Sequence, residues 1–569
     1  MAQPAAREPG RSRIRFTKPE KSWILYDWAN SVYATNMMAA IFPIYYASVA
    51  GDAGDKWWGI GVSAASLLIA VMAPVLGAIG DFRGMKKRML TAFLIIGVAF
   101  TALTAFVGSW QWMLIGYVLS HIGYSGANVF YDSFLTDVTE GERMDKVSAW
   151  GYAMGYLGGS TIPFVISIVF LLATGFSVTA VKFSILITCV WWAVFSIPLL
   201  KNVHQEHYVD TPPRQLVSSA MRNLAGTMKA ILHNRGVLVF LLAYFFYIDG
   251  VNTVISLATN YGATLGLGST GMILALLVTQ IVAVPCSILF GRLAKRLGSV
   301  NIIIGAIAVY FVICSVGFFM GQNVEPYQLD YTRMVDDAST GYAEQFTGAD
   351  RKTMEQILAD LREDGKDALA ADDRQAAFYA EEADGSLSGV LGGILGRLQD
   401  EENTRYVFSG TIAREKALSL VGQLREPLAA FAADSGKQAD YQDALAFSSL
   451  LFWLMAVLVG TVQGGIQALS RSMYGKLIPD KDRSGEFFGF FDIFGKFSSI
   501  MGPALVGVVS SVVANGMLGA QGLTAQTATA EQIDAINAQS SHYGILSIII
   551  IIIVGAVLYF GFLPKAEHA

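Results

Sequence analysis

About a dozen apolar stretches, each roughly 20 residues long, constrain this chain more than any other feature of its sequence. A helix rises 1.5 Å per residue, so each stretch is long enough to cross a hydrocarbon core of about 30 Å. They lie near residues 23–49, 57–80, 89–109, 111–134, 147–174, 178–200, 236–260, 270–291, 300–321, 447–470, 486–514 and 543–563, and are numbered here as spans 1 to 12. A composition of 53% hydrophobic and 15% charged residues in 569 agrees with lipid as the surrounding solvent.

The basic residues test this count. In twelve spans both termini fall on one side, and the short loops on that side hold 25 Lys and Arg, against two, Lys56 and Lys182, in the opposite short loops. One missed or invented helix would scramble the alternation, so the asymmetry predicts cytoplasmic termini and an all-α membrane protein. The basic stretch Arg7, Arg11, Arg13, Arg15, Lys18, Lys21 leads into a run too long for a signal core, which predicts a retained cytoplasmic amino terminus at 1–22. In a cell with two membranes, the inner one is expected. Cys189, Cys286 and Cys314 fall inside apolar runs and read as small buried hydrophobes.

Two segments interrupt the series. Residues 201–235 form an expected cytoplasmic connection that divides the helices into bundles of six at 23–200 and 236–321 plus 447–569; its amphipathic run Leu216 to Ile231 is expected to lie on the membrane surface. Residues 322–446 are too polar to span and carry a net charge of −12, while the rest of the chain carries +7. Met354, Ile357, Leu358 and Leu361 keep helical spacing before Gly365, as do Leu387, Val390, Leu391, Ile394, Leu395 and Leu398, so a small helical extracytoplasmic domain is expected.

The two halves echo each other. Span 1 carries Tyr26, Asp27 and Asn30; span 7 carries Tyr247, Asp249 and Asn252. The loop after span 2, with Gly77, Asp81, Gly84, Lys86 and Lys87, has a partner after span 8, Gly291 to Gly298. Two parallel six-helix repeats fit that spacing.

The loop after span 2 resembles the signature loop of the major facilitator superfamily. A closer resemblance, to the vacuole-effluxer branch, rests on Tyr26-Asp27-Trp28-Ala29-Asn30-Ser31, Asp249-Gly250-Val251-Asn252-Thr253, Gln463-Gly464-Gly465, Ser470-Arg471-Ser472, Glu486-Phe487-Phe488-Gly489 and Gly502-Pro503. The resemblance implies two pseudo-symmetric six-helix bundles that rock about a central cavity lined by spans 1, 4, 7 and 10. It also implies carriage of small solutes, with amino acids the substrates associated with eukaryotic members.

Charged groups at membrane depth cost on the order of 2.5 to 3.5 kcal/mol each, so they need partners, water or a proton. They are Asp27, His121, Asp132, Asp249, Asp492 and Lys496. Asp492 and Lys496 are four apart and can pair on one helix face. Asp249 lies near mid-membrane with no ionisable neighbour on its own helix, which makes it the first candidate for a proton or substrate site beside a buried structural acid. Asp27, Asp132 and Asp492 fall near one another at the cytoplasmic end, where they could share a proton. His121 reads either as a relay or as a hydrogen-bonding group between helices. Asn128, Gln280, Gln463 and Gln467 could meet a zwitterion or polyol, or bond neighbouring helices. In the loop after span 2, Asp81 can accept from helix amino termini, while Lys86, Lys87 and Arg88 can meet anionic headgroups; Arg471 carries the same pair of readings, gate or topology signal.

A nucleotide-binding loop, a Ser-His-Asp set and a metal-ligand cluster are absent from the sequence, so neither an enzyme nor a cofactor other than a proton gradient is expected. A small solute and membrane lipids are the expected partners and nucleic acid is not. The competing reading is a receptor or scaffold whose acidic 322–446 insert binds a protein partner or cations.

Overall fold

A computed structural model describes residues 15–174, 177–210, 216–267, 269–370, 387–400, 405–520, 524 and 530–567. Arg7, Arg11, Arg13, Pro212 and Pro213 lie outside these. The regular secondary structure of the described residues is helical apart from one isolated bridge between Phe82 and Val209.

Ten described helices are long and apolar enough to cross a membrane. The two expected spans outside that set are spans 1 and 4, formed by Lys18–Tyr33 with a π-helical turn at Ala34–Ala39 and by Trp110–Ser133. Both carry aromatic, amide and ionisable residues where the other ten carry Leu, Ile and Val. That is the composition of a helix turned toward a polar interior, and these two carry Asp27, Asn30, His121, Asn128 and Asp132. Exposed Val71, Val169, Phe319 and Phe560 lie on other helices, on surfaces that suit lipid.

Several boundaries differ from those expected. The loop near residue 50 is helical, because Ile41–Gly80 runs as one helix that includes span 2 at Trp57–Gly80. Span 5 is Arg143–Met154 and Ile162–Ala173 joined by a π-helical segment, Gly155–Thr161. Its glycines allow close approach: a Cβ at Gly155 would meet Ser31 of span 1 at 2.7 Å. Spans 3, 6, 7 and 8 are Met85–Thr104, Val178–Asn202, Arg235–Thr264 and Ser269–Leu297. Span 11 is Ser484–Ala520, and the helix holding span 12 begins at Ala530, well before its apolar run.

The insert does not begin where hydropathy falls. Span 9 continues unbroken as Ser299–Ser339 and span 10 begins at Ser435 and ends at Leu477, so both leave the membrane as stalks. Helices Gly348–Ala370 and Arg425–Ala433 pack on both stalks, and Leu387–Gln399 and Thr411–Gln423 pack onto the other insert helices. The first passes through Gly365, where the sequence suggested a stop, because a side chain there would collide with Tyr331 of the span 9 stalk. Met354, Ile357, Leu361, Leu391, Ile394 and Leu398 are buried, so the insert has a core of its own that runs on into the C-terminal bundle.

The amphipathic run forms a helix, Leu216–His233, but one face packs on spans 2, 7 and 11 rather than lying free on lipid. Thr227 on that face bonds the Glu486 carboxylate, and exposed Met228 and Leu232 remain for the membrane surface. Between the halves, span 2 packs on span 11, and span 5 packs on spans 8 and 10.

Candidate functional site

The helix ends that carry the basic short loops, called here the inner end, hold three polar connections between the halves. At the first, Asp81 is buried and accepts the Gly485 N–H at 2.7 Å and the Glu486 N–H at 2.8 Å. These are orphan donors in the first turn of span 11, where a carboxylate completes both hydrogen bonding and the helix dipole. Contact is made possible by Gly77, since a Cβ there would run into the Gly485 carbonyl. Gly84 takes φ +72° and turns the loop into span 3.

Lys86 was expected to reach lipid headgroups and does not. It is fully buried, donating to Asp137 at 2.7 Å and to Ser484 of the other half at 2.9 Å. Lys87 is half-buried on the same turn. Asp137 also accepts the His207 backbone N–H at 2.9 Å and lies 3.2 Å from its ring. Burial acts to raise the Asp137 carboxyl, but the Lys86 ammonium and the His207 bonds outweigh it and hold it low. The hydrogen bond to Asp137 in turn raises the His207 imidazole.

The second connection centres on Arg471 at the inner end of span 10. Its Nη2 donates to Asp27 Oδ2 at 3.0 Å, Nη1 to Asp132 Oδ1 at 2.9 Å and Nε to Ser148 Oγ at 3.0 Å. The guanidinium lies over the rings of Trp23, Tyr131 and Tyr152, 4.6, 5.4 and 4.5 Å from their centroids. Only a planar fork of five donors can serve three acceptors while stacked on aromatic faces, so Lys would not substitute. Every partner comes from the N-terminal half.

The third reverses the polarity. Asp145 at the start of span 5 accepts Lys476 at 2.6 Å, Ser299 at 2.9 Å and Ser472 at 2.6 Å, all from the C-terminal half. Within the N-terminal half, Arg143 and Glu20 pair, and Glu20 closes the capping box on Thr17 that starts span 1. Asp145, Ser148 and Lys476 are not among the residues the sequence singles out, and Ser472 enters there only as part of the Ser470-Arg471-Ser472 motif. A signal was available: Arg471 is one helical turn beyond Gln467, so it lies inside the membrane end and not out in a loop.

Deeper in, Asn30 donates to Asn128 at 2.7 Å, joining spans 1 and 4. Asp492 and Lys496 pair at 2.7 Å as their spacing predicts, and both are only partly buried. His121 is buried against Tyr117, and its Nδ1, like Gln280 Oε1, has no hydrogen-bond partner. Gln463 is buried and Gln467 half-buried on span 10. Tyr26 packs on Tyr131.

The second copy of the motif goes elsewhere. Asp249 is fully buried inside the C-terminal bundle and accepts the Gly502 N–H at 2.8 Å; Asn252 donates to Ser498 at 3.2 Å, and Tyr247 shares a 2.6 Å bond with Ser470. The structure therefore brings together Asp27, Asp132 and Arg471, but not Asp27 and Asp249. Among the described residues no group of three His, Cys, Asp or Glu is placed to hold a metal.

Two matched helix bundles, polar spans turned inward and an ionic seam across one end define a membrane transporter of the major facilitator type. A model of the family described as "Vacuole effluxer Atg22 like" matches residues 60–140, 136–327 and 448–517, passing over the insert. The chain belongs to that family. It is 35% identical over 512 residues, 88% of this chain and 90% of the other, to the "Uncharacterized MFS-type transporter YxiO" of Bacillus subtilis (strain 168). Autophagy-related protein 22 of Yarrowia lipolytica is 29% identical over 136 residues, covering 20% of this chain and 23% of its own. The crystal structure of the human organic anion transporter MFSD10 (TETRAN) superposes over 97% of this chain and 100% of its own with a TM-score of 0.51 at 11% identity, a likeness of fold.

Proposed function

We propose that the protein carries a small zwitterion of amino-acid size across the cytoplasmic membrane by proton-coupled alternating access. The inner end faces the cytoplasm in this reading, as the basic loops require. The observation that carries the proposal is the charge count at Arg471: two carboxylates, Asp27 and Asp132, share one guanidinium, which leaves one negative charge in excess at a buried site. While the cytoplasmic gate is closed, Arg471 holds both. When the halves separate, Arg471 leaves with span 10, and the two facing carboxylates are best accommodated by taking up a proton.

Solute specificity would come from the amides and ions above this gate. Asn30, Asn128, Gln463 and Gln467 offer donors and acceptors, while the partly buried Asp492 and Lys496 offer one charge of each sign. A zwitterion matches that pair because its ammonium and carboxylate can replace each ion's partner. Family membership supports carriage of a solute, since the matching family model is described as a vacuole effluxer.

The test is uptake of labelled amino acids into proteoliposomes, with and without a pH gradient. Accumulation driven by the gradient and lost in Asp492→Asn supports the reading. If no amino acid moves while the isolated acidic insert captures a protein, the receptor reading replaces it.

A further inference from the structure

The C-terminal bundle holds a cavity of about 440 Å³ that belongs neither to the ionic gate nor to the passage between the halves. Spans 7, 9, 10, 11 and 12 build it, with Leu257, Ile313, Met455, Val506 and Ile548 among its apolar walls. That volume lies within the range of roughly 300 to 1,000 Å³ typical of small-molecule sites, and an apolar wall with a few fixed polar groups is their usual chemistry.

The polar groups sit at one end. Thr253 is part of the wall and Asp249 lies one helical turn below it on the same face of span 7; both residues are 0% exposed. Thr253 Oγ1 and Asp249 Oδ2 have no hydrogen-bond partner. Pro503, which is in the wall, is preceded by Gly502, whose N–H takes the other Asp249 oxygen. A Cβ on Gly502 would strike Thr253 Oγ1 and stand 2.6 Å from Asp249 Oδ1, so the carboxylate lies immediately behind the polar end of the cavity. The remaining titratable neighbours leave Asp249 as the unmatched acid: Cys314 and Tyr261 line the wall, Tyr261 donates to the Gly317 carbonyl, and Glu325 pairs with His542 at 2.8 Å near the other end.

We propose that this cavity binds a lipophilic amine, its hydrocarbon body in the apolar chamber and its protonated head at Thr253, with the Asp249 carboxylate behind that hydroxyl as counter-ion. An ionised carboxylate can only accept hydrogen bonds, so the occupant must be a donor, and a cationic donor also cancels the buried charge. An organic acid would be repelled, and an alcohol would donate without neutralising. The site lies within one half, so it needs neither an open gate nor the solute assigned above, and its test succeeds or fails independently of that reading.

The full-length protein in nanodiscs is equilibrated with tritiated 4-phenylbutylamine, with 4-phenylbutan-1-ol as the neutral match and empty nanodiscs as the partition control. Saturable one-to-one binding of the amine, at least tenfold tighter than the alcohol, is expected. Asp249→Asn is expected to weaken amine binding at least tenfold and to leave the alcohol unchanged. Thr253→Val, which keeps the side chain's shape, is expected to weaken the amine several-fold and guards against misfolding of the charge variant. Gly317→Leu is expected to abolish binding by filling the chamber, since even a Cβ there stands 3.6 Å from Met455 Cε. Equal binding of amine and alcohol, insensitivity to both polar substitutions, or uptake no greater than in empty nanodiscs would overturn the proposal and assign the chamber to lipid chains.

Discussion

The two copies of Asp-x-x-Asn begin as equivalents and end in different roles. Asp27 reaches across to Arg471 of the other half, whereas Asp249 stays within its own half on the Gly502 backbone. What separates them is the partner helix. Spans 4 and 10 occupy corresponding places in the two repeats, yet the inner end of span 4 carries Asp132 and that of span 10 carries Arg471, and these opposite charges meet at 2.9 Å. A repeat therefore fixes where a residue sits, and the sign of the charge on the neighbouring helix decides whether it joins the two halves or ties helices within one.

Removing Arg471 should break this contrast most severely. Arg471→Ala leaves Asp27 and Asp132 buried without a counter-ion, a loss of about 3 to 5 kcal/mol for a broken buried pair. Proteoliposome uptake should fall more than 100-fold, and the purified protein should unfold at lower temperature. Exchanging the charges, Asp132→Arg with Arg471→Asp, should restore part of that uptake, because either half can supply the cation.

Neutralising one acid tests the charge count. Asp27→Asn should lower uptake about 10- to 100-fold and remove most of its dependence on a pH gradient, with Asp132→Asn acting in the same direction. If the gradient dependence survives both, the proton is carried elsewhere.

The neighbouring latch should matter less. Asp81→Ala removes two charge-assisted bonds to span 11, each about 1.5 to 3 kcal/mol, and should slow uptake roughly tenfold. Gly77→Leu should do the same by steric means, since the Gly485 carbonyl occupies that space.

The smallest effect concerns His207. Its imidazole is raised by the hydrogen bond to Asp137, so its contribution to folding is complete below the ordinary value of 6.5 and fades as pH rises through the raised value. Thermal unfolding measured from pH 6 to 9 should show this decline in the parent and a flatter profile in His207→Ala.

Much of this was legible beforehand. Apolar runs gave the bundle, and the four-residue spacing of Asp492 and Lys496 gave their ion pair. Spans 1 and 4 look weak by hydropathy for the same reason that they line the interior. The gate was harder to read because its bonds join residues hundreds of positions apart: Arg471 and Asp27 are separated by 444. Topology alone is a sufficient explanation for basic residues after span 10, so Arg471 keeps two readings in the sequence, gate or topology signal, and nothing there sets Lys476 or Asp145 apart from other loop charges. The same ambiguity sent Lys86 to the lipid surface, although it is buried between Asp137 and Ser484. Asp249 drew attention because it lacks a charged neighbour on span 7, and sequence cannot show a backbone N–H arriving from span 11.

The most direct test of an Arg471-centred gate is the distance between the halves at the inner end. Spin labels at Glu142→Cys and Leu297→Cys, both at exposed positions, can be introduced after Cys189, Cys286 and Cys314 are replaced by Ala. Double electron–electron resonance should give one narrow, short distance with Arg471 present and a broad, longer distribution in Arg471→Ala. An unchanged distribution in that variant would contradict the account.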